Sequence, residues 1–506
     1  MDSTDAINIE SVINENAALR ELTEHQAQEI ENLKLLVQKF RAQAFGKKSE
    51  KLRSISSPAQ GEQEEMFSFE SMPESPEADK STIEVRRHKR EIPRGRKPLP
   101  SDLPRERIEY EPEERTCNCC GAELEKIGEE ITEELEYIPA RFLVKEHVKI
   151  KRACGRCKES GVKTGTLPPS VQPLERSRPG AGLLTHIIVS KYMDHLPLYR
   201  QEAIFARLGI VIARARMCDW IAAVCNLLEP LHKALRLELI ALSYLQADET
   251  TIKVQDPENP KHILTGYFWG LHAPPQKLAY FGYYASRAGA SAEALLKDFK
   301  GTVQTDLYAG YNPVLIPGEV TRLACMAHVR RKFIEVQKQA GKQCGEVLEL
   351  IAKLYRIETQ AKDFEAFARE ALRKEKSVPL LERLEKYLLE LKATTLPKHA
   401  LMKALNYALS QWGEIKRYTE NGIFEIDNNP IERDIRPIAL GRKNFLFAGS
   451  HDGAKRAAML YSFFACCKLR KINPSEWLKD VIIRVQTDSS VSARDLLPHL
   501  WKPAQM

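Results

Sequence analysis

The sequence predicts a multidomain α/β protein, and three patterns along its 506 residues lead to that prediction. An apolar heptad pattern fills residues 7–44, and two Cys-x-x-Cys pairs lie between residues 117 and 157. From residue 239 a helical period gives way to a strand-like one. At roughly 100–200 residues per domain, the length also suggests about three to four domains.

Composition excludes several classes of protein. The chain has 43% hydrophobic and 29% charged residues, which is ordinary for a soluble globular protein, and its net charge of +7 only hints at a polyanionic partner. No run approaches the roughly 18 apolar residues of a membrane helix, and the acidic N-terminus lacks a signal-peptide core. We therefore expect a cytoplasmic protein without a membrane partner, whose 11 cysteines bind metal or pack in the core.

Residues 1–52 are predicted to contain a coiled-coil helix. With Ile9 at heptad position a, seven of the ten a and d positions in 7–44 are apolar, and Asn16 at a is typical of a two-stranded register. The pattern favours a homodimer or higher oligomer formed through this helix. The alternative is a single amphipathic helix that packs on its own domain.

Residues 53–105 lose all periodicity and are predicted to be a disordered linker with a basic end. Residues 61–80 hold seven acidic side chains and one basic one, whereas residues 86–97 hold seven basic and one acidic. In the sequence Pro-Arg-Gly-Arg-Lys-Pro, Arg94 and Arg96 are candidates for insertion into a narrow DNA minor groove. A solvated basic linker explains the same residues.

Residues 106–170 are predicted to form a zinc-binding domain. Each Cys-x-x-Cys pair aims two thiolates at one point, and two pairs complete the tetrahedral thiolate set that Zn²⁺ prefers, with no position left for catalysis. A redox pair or core cysteines are the alternatives, and Cys119 is a spare thiol inside the first pair. The predicted ligands of this structural zinc are Cys117, Cys120, Cys154 and Cys157.

Residues 171–236 are predicted to be helical and to bind DNA. Helices over 200–207 and 212–224, joined by a turn at 208–211, have the layout of a helix-turn-helix. The second helix would enter the major groove with Arg214 and Arg216 exposed. An ordinary pair of packed helices explains the pattern equally well.

Acidic residues follow two apolar, strand-like segments. The run 240–247 ends at Asp248, the segment 301–305 ends at Asp306, and Asn429-Pro430 begins a helix with Glu432 in its first turn. Three such carboxylates suit two Mg²⁺ ions, about 3.5–4 Å apart, that activate the attacking oxygen and stabilise the leaving oxygen. The alternative for each acid is a helix cap or a turn.

The residues 424–450, FEIDNNPIERDIRPIALGRKNFLFAGS, resemble the signature of DDE transposases of the insertion sequence 66 family. Ordered agreement over nearly the whole chain supports the resemblance. The further matching segments are RAQAFGKKSEKL at 41–52, GRKPLPSDLPRE at 95–106, SKYMDHLPLYRQE at 190–202, ADETT at 247–251, TDLYAGYN at 305–312, CMAHVRRKF at 325–333 and INPSEWL at 472–478.

This resemblance implies an RNase H-like catalytic core that a helical insertion divides. It assigns the catalytic triad to Asp248, Asp306 and Glu432, with Glu432 in the family's Asn-Asn-x-x-Glu-Arg position. Glu249 would point away from Asp248 in an extended strand. The expected parts are core residues 237–330, insertion 331–420, core residues 421–450 and C-terminal helices 451–506. The competing third acids are Glu425, Asp427 and Asp434.

Basic residues near the acids are candidates for binding DNA phosphates. We expect Pro437 to end the helix that carries Glu432, and residues 441–444 to form a turn that presents two bases to DNA. A solvated basic surface is the alternative. The candidates are His328, Arg330, Arg331, Arg433, Arg436, Arg442 and Lys443.

The sequence thus predicts a nucleoid-associated bacterial transposase that binds its element's terminal inverted repeats. It would cleave a DNA strand with two Mg²⁺ ions per site, Mn²⁺ being able to substitute, and transfer the freed 3′-hydroxyl to target DNA. Its partners would be double-stranded transposon-end and target DNA, and accessory proteins of the same element. The rival interpretations are an inactive or architectural DNA-binding protein and a junction-resolving nuclease.

Overall fold

The computed structural model describes residues 105–110, 119, 134–135, 140–153, 162–168, 173–174, 177, 179–488 and 490–503. The chain divides into two units, residues 1–135 and residues 136–506, and the elements below all belong to the second unit. The predicted coiled coil, the linker up to residue 104 and the basic residues Arg94 and Arg96 lie outside the described residues.

A small antiparallel pair of strands follows the first described stretch of the second unit. Strand β1 (Lys151–Ala153) pairs with β2 (Val162–Thr164), so Cys154 comes directly after the end of β1 in the sequence. Residues 140–150, which precede β1, form neither helix nor strand. Their apolar side chains, such as Leu143 and Val144, remain exposed, so no burial stabilises an extended ladder there.

Among the described residues, three helices precede the main sheet: α1 (Ala181–Tyr192), α2 (Leu198–Arg207) and α3 (Arg214–Ile240). Helix α2 and the start of α3 have the predicted helix-turn-helix order, and Gly209 takes a positive φ of 82° in the turn. Helix α3 extends well beyond residue 224, where the sequence predicted its end. It continues for 27 residues because Met217, Val224, Leu228 and Leu235 recur at helical spacing and are fully buried.

The main sheet is mixed and has the strand order β5-β4-β3-β6-β7. Strands β3, β4 and β5 are antiparallel neighbours, whereas β6 and β7 run parallel to β3. The strands are β3 (Tyr244–Gln255), β4 (Ile263–Ala273), β5 (Leu278–Tyr284), β6 (Gly301–Thr305) and β7 (Val320–Ala324). Helix α4 (Gly289–Leu295) and the 3₁₀ turn Ala309–Val314 connect β5, β6 and β7.

The predicted helical insertion follows β7. It begins with the 35-residue helix α5 (Met326–Gln360), which bends at Gly341, where φ is 39°. The backbone N–H of Met326 donates to the carbonyl of Ile426, 3.1 Å away, so the two ends of the insertion meet. The further elements are α6 (Ala366–Leu372), the π turn Arg373–Ser377, α7 (Val378–Thr394), α8 (Ala400–Leu409), α9 (Trp412–Lys416) and the 3₁₀ turn Arg417–Thr419.

The insertion has its own apolar core, which joins the sheet at one place. Phe333, Leu350 and Leu384 belong to this core, and so do Tyr244 of β3 and Leu323 of β7. The insertion therefore packs on the end of the sheet where β3, β6 and β7 lie side by side.

Three helices complete the chain: α10 (Asn429–Phe445), α11 (His451–Arg470) and α12 (Pro474–Thr487). Helix α11 packs on β5, as predicted for the C-terminal region, and Ser462 Oγ accepts a 2.7 Å hydrogen bond from the Phe281 N–H. Within the described residues, no helix combines the length and the hydropathy that a membrane crossing requires.

Candidate active site

Asp248 and Asp306 lie side by side on neighbouring parallel strands. Gln246 of β3 is in register with Gln304 of β6, and each aspartate follows its glutamine by two residues. Asp306 comes directly after β6, as predicted. Asp248 was predicted at a strand end and instead lies within β3, because the β-branched residues after it continue the pairing with β4 as far as Gln255.

Glu432 approaches the same face of the sheet from α10, in whose first turn it lies. Asp248 is paired directly with Gly270 of β4. A Cβ at Gly270 would lie only 2.9 Å from Cδ1 of Ile431, so the missing side chain lets α10 rest on the sheet. The helix thereby brings Glu432 to the strand that carries Asp248.

The three carboxylates share one electrostatic neighbourhood. The pKa of Asp248 is well above its ordinary value because the group is buried and because Glu249, Glu432 and Asp306 all repel its negative charge. Burial also raises the pKa of Glu432, and Asp306 adds to the repulsion. A cation between these groups would relieve the repulsion.

Two bases on α5 face Glu432 from the insertion side. His328 Nε2 and Arg331 Nη2 each lie 3.9 Å from a carboxylate oxygen of Glu432, which is too long for a direct hydrogen bond. Burial and the charge of Arg331 lower the pKa of His328 to about 4, so its imidazole is neutral near pH 7.

The three competing third acids are each bonded to another group. Glu425 pairs with Arg369 at 3.5 Å, and His272 Nδ1 lies 2.6 Å from Asp434 Oδ2. Asp427 accepts hydrogen bonds from Tyr355 (2.8 Å) and from the Asn429 amide (2.7 Å). Glu432 is therefore the carboxylate of this region whose oxygens have the loosest contacts.

Glu249 points to the opposite face of β3, as expected for a residue next to Asp248 in an extended strand. Its carboxylate accepts hydrogen bonds from Arg287 Nη2 (2.6 Å) and from the Tyr311 hydroxyl (2.8 Å). The Arg287 guanidinium also stacks on the ring of Tyr308, whose N–H donates to Asp306 Oδ1. Arg287, Tyr308 and Tyr311 were not predicted as site residues, although both tyrosines lie in the segment TDLYAGYN beside Asp306.

Two predictions about α10 are wrong. Pro437 does not end the helix, and residues 441–444 form its last turn rather than a separate turn. The buried residues Ile431, Ile435 and Ile438 hold α10 on the sheet, and this packing outweighs the roughly 3 kcal/mol that a proline costs in a helix interior.

The predicted DNA-binding residues fall into two groups. Arg442 is half-buried and donates to Thr251 Oγ1 (2.7 Å) and Thr250 Oγ1 (3.2 Å) of β3, so its guanidinium holds α10 to the sheet. Arg330 and Arg331 on α5 are also half-buried. The exposed residues are Arg214, Arg216, Arg433, Arg436 and Lys443.

The sequence predicted two kinds of metal site, one of carboxylates and one of cysteines. Among the residues that it describes, no group of three or more His, Cys, Asp or Glu side chains is arranged to hold one metal ion. The three carboxylates thus repel one another without converging on a single point, although their hard oxygen donors are of the kind that Mg²⁺ prefers. The predicted zinc ligands Cys117, Cys120, Cys154 and Cys157 lie outside the described residues, and Cys119 is exposed.

Comparison with known proteins places these features in a family. Residues 176–456 match the family described as "Transposase IS66 family". Residues 114–158, which include all four predicted zinc ligands, match the "zinc-finger binding domain of transposase IS66", and this match supports a structural zinc. Residues 32–108 match the model described as "Transposase C of IS166 homeodomain".

Full-length relatives occur in Sinorhizobium fredii. The uncharacterized protein y4hP is 33% identical over 503 residues, a match that covers 93% of this chain and 89% of that protein. The uncharacterized protein y4jD is 33% identical over 425 residues, covering 81% of this chain and 82% of its own. The transposase match alone spans more than half of the chain. The chain therefore belongs to the IS66 family of transposases.

Proposed function

We propose that this protein is an active DDE transposase. It binds the terminal inverted repeats of its insertion element, cleaves a DNA strand at the element end, and joins the freed 3′-hydroxyl to target DNA. The observation that carries the proposal is the approach of Asp248, Asp306 and Glu432 from two adjacent strands and one helix, where burial and the negative charge of neighbouring carboxylates raise the pKa of Asp248 and of Glu432.

The bonding of the neighbouring acids supports Glu432 as the third member. Asp434 and Asp427 lie on or just before the same helix, but their oxygens are occupied by His272 and Tyr355. Glu432 keeps its oxygens 3.9 Å from the nearest bases and so remains available to a cation. His328 is neutral near pH 7 and so adds no positive charge beside Glu432.

In this proposal Asp248, Asp306 and Glu432 would hold two Mg²⁺ ions, or Mn²⁺ in their place. When bound, such ions supply Lewis-acid activation of the attacking oxygen and stabilisation of the leaving oxygen. Asp248 and Asp306 would contribute carboxylates from the strand side of the site, and Glu432 would contribute the third from α10. The half-buried Arg331 lies beside Glu432 and is placed to neutralise a phosphate oxygen.

Both chemical steps balance without a protein nucleophile. In the first, a water oxygen bonds to phosphorus, the bond from phosphorus to the 3′-oxygen breaks, and the 3′-oxygen takes up a proton that the water gives up, so the products are a 5′-phosphate and a 3′-hydroxyl. In the second, the oxygen of that hydroxyl bonds to a target phosphorus, the target's own 3′-oxygen leaves, and the proton of the attacking hydroxyl passes to it. The first step is a hydrolysis and the second exchanges one phosphodiester for another, so no oxidant, reductant or nucleotide cofactor is needed.

The remaining parts of the chain would bring DNA to this site. Exposed Arg433, Arg436 and Lys443 on α10 would contact backbone phosphates, and Arg214 and Arg216 at the start of α3 would contact a second stretch of duplex. We further propose that the mixed sheet is an RNase H-like core with the predicted domain limits. The N-terminal helix would pair two copies, which suits an element with two ends, and accessory proteins of the element would assist.

A cleavage assay tests the proposal. Purified full-length protein is incubated with end-containing duplex and Mg²⁺, and the 3′ ends are mapped. Asp248→Asn, Asp306→Asn and Glu432→Gln should each lower cleavage by at least about 10³-fold, because each removes a ligand from the reacting centre. Asp363→Asn, a matched change at an exposed site in the insertion, should cleave like the wild type.

The same assay separates the rival functions. Specific binding of the end duplex, with no cleavage in either Mg²⁺ or Mn²⁺, would instead support an architectural DNA-binding protein. Cleavage that prefers branched DNA over element ends would support a junction-resolving nuclease.

A further inference from the structure

Two buried glutamine side chains are hydrogen-bonded to each other between β3 and β6, the strands that lead to Asp248 and Asp306. Gln246 of β3 and Gln304 of β6 are paired in register, and both side chains are fully buried. Gln246 Nε2 donates to Gln304 Oε1 at 2.8 Å. Since side chains two residues apart point to the same face of a strand, these amides lie on the face of Asp248 and Asp306.

Both amides also bind the backbone of the segment 425–427, which leads into α10. Gln246 Nε2 donates to the carbonyl of Asp427 at 2.9 Å, and Gln304 Nε2 donates to the carbonyl of Glu425 at 2.9 Å. Each glutamine therefore joins an aspartate-bearing strand to the chain just before Glu432.

Two further side chains complete the attachment. The Tyr244 hydroxyl accepts a 3.1 Å hydrogen bond from the Glu425 N–H and donates to Gln304 Oε1 at 2.6 Å. Asn428 Nδ2 donates to the carbonyl of Ala247 at 3.1 Å. The segment 425–428 is thus bonded, through its backbone and the Asn428 side chain, to residues one or two positions before Asp248 and to a residue two positions before Asp306.

The chemistry of these contacts points to positioning rather than to simple core packing. Apolar side chains would fill the same volume without burying amides, whose burial is costly, and Gln246 Oε1 is itself buried without a hydrogen-bond partner. The bonds made here are directional, and three of them reach backbone groups of one short segment, residues 425–427. Hydrogen bonds of this kind fix a distance and a register, whereas apolar packing tolerates small shifts.

The position of the insertion explains why hydrogen bonds to the segment 425–427 are useful for placing Glu432. The chain leaves the sheet after β7 and returns more than a hundred residues later, so the sequence between Asp306 and Glu432 cannot itself fix the third carboxylate. We propose that Gln246, Gln304 and Tyr244 are positioning residues that set Glu432 against Asp248 and Asp306 by clamping the segment 425–427 to β3 and β6. This inference rests on the function proposed above for the three acids.

The test compares volume-conserving variants in the full-length protein. Gln246→Met and Gln304→Met remove the amides, and the milder Tyr244→Phe removes one hydroxyl. The matched control is Gln201→Met. Gln201 is also buried, and its amide donates to the backbone carbonyls of Ile187 and Leu196 in the helical region.

Two measurements are made on each variant. Binding of Mn²⁺ is followed by electron paramagnetic resonance, and exchange of the Glu425 amide is followed by hydrogen–deuterium exchange. The clamp variants should bind Mn²⁺ about 10–100-fold more weakly, the range seen when groups that orient metal ligands are removed. They should also exchange the Glu425 amide faster. Gln201→Met should change neither, even if it lowers Tm as much as the clamp variants do.

The outcomes separate this inference from the function on which it rests. If Asp248→Asn abolishes Mn²⁺ binding but the clamp variants bind it as the wild type does, the clamp is wrong and the active site stands. If the wild type neither binds Mn²⁺ nor cleaves, both are overturned. Should the methionine variants fail to fold, Tyr244→Phe decides, and wild-type Mn²⁺ affinity in that variant contradicts the proposal.

Discussion

Nδ1 of His272 lies 2.6 Å from Oδ2 of Asp434, and both side chains are almost fully buried. The pair joins β4 to α10 at two residues beyond Glu432, so it anchors the helix that carries the proposed third acid. It also removes Asp434 from competition for that role.

Removing one partner of this pair should destabilise the protein strongly. Asp434→Ala leaves the His272 ring without its partner in the interior, and we expect the free energy of unfolding to fall by about 3 kcal/mol. Denaturant unfolding measures this loss. The double variant His272→Leu/Asp434→Leu should recover part of it, because no polar group remains unpaired. Equal losses in the single and double variants would contradict the argument.

Asp248→Asn should stabilise the metal-free protein while it abolishes cleavage. The pKa of Asp248 is raised in the fold, so the native state is most stable with the carboxyl protonated and loses stability as the pH rises through that raised value. We expect the Tm of Asp248→Asn, without added divalent metal, to exceed that of the wild type near neutral pH by a few degrees. The difference should vanish below the ordinary carboxyl pKa of about 4. A variant less stable than the wild type at neutral pH would refute the repulsion.

Arg442 and Lys443 are adjacent in sequence and should respond differently to alanine. Arg442→Ala removes the hydrogen bonds to Thr250 and Thr251, so we expect it to lower Tm. Lys443→Ala changes an exposed side chain, so it should leave Tm unchanged and reduce the salt dependence of DNA binding by about one phosphate contact. Thermal unfolding and binding titrations over a range of salt concentration check both. If Arg442→Ala keeps the wild-type Tm but binds DNA more weakly, the result would support the DNA-binding role predicted for Arg442 from the sequence.

His232 should make the fold acid-sensitive. Burial lowers its pKa to about 4, and its Nε2 contacts Ser462 Oγ and the Phe281 carbonyl at 3.2 Å. The unfolded chain takes up the proton first, near pH 6.5, so this contribution is constant above that pH and is lost as the pH falls toward 4. The loss should reach roughly 3 kcal/mol. His232→Gln should flatten the pH dependence of unfolding between those values, and the surface change His186→Gln should not.

The zinc content of the purified protein tests the four cysteines. Four thiolates bind Zn²⁺ far more tightly than three, so Cys154→Ser should lower the zinc content well below one ion per chain. Elemental analysis measures this, with Cys119→Ser as the matched control because Cys119 is the exposed spare thiol of the first pair. Full zinc content in Cys154→Ser would refute the ligand set.

Much of this protein follows from its sequence alone. The strands that lead to Asp248 and Asp306, the long helical insertion and the helix that begins at Asn429 were predicted, because apolar periodicity and a proline at a helix start are local signals. The family was identified from ordered short motifs, and the family match confirms it. The roles of Asp248, Asp306 and Glu432 remain predictions.

Tertiary structure decided what local signals could not. Pro437 stays inside α10 because buried isoleucines hold that helix to the sheet. Arg442 donates hydrogen bonds to two threonines of β3 that are about 190 residues away in the sequence. The choice among four acids likewise depends on partners more than sixty residues distant, such as Tyr355 and His272. Sequence spacing fixes which groups share a strand or a helix turn, whereas their charge and hydrogen-bond partners depend on how those elements pack together.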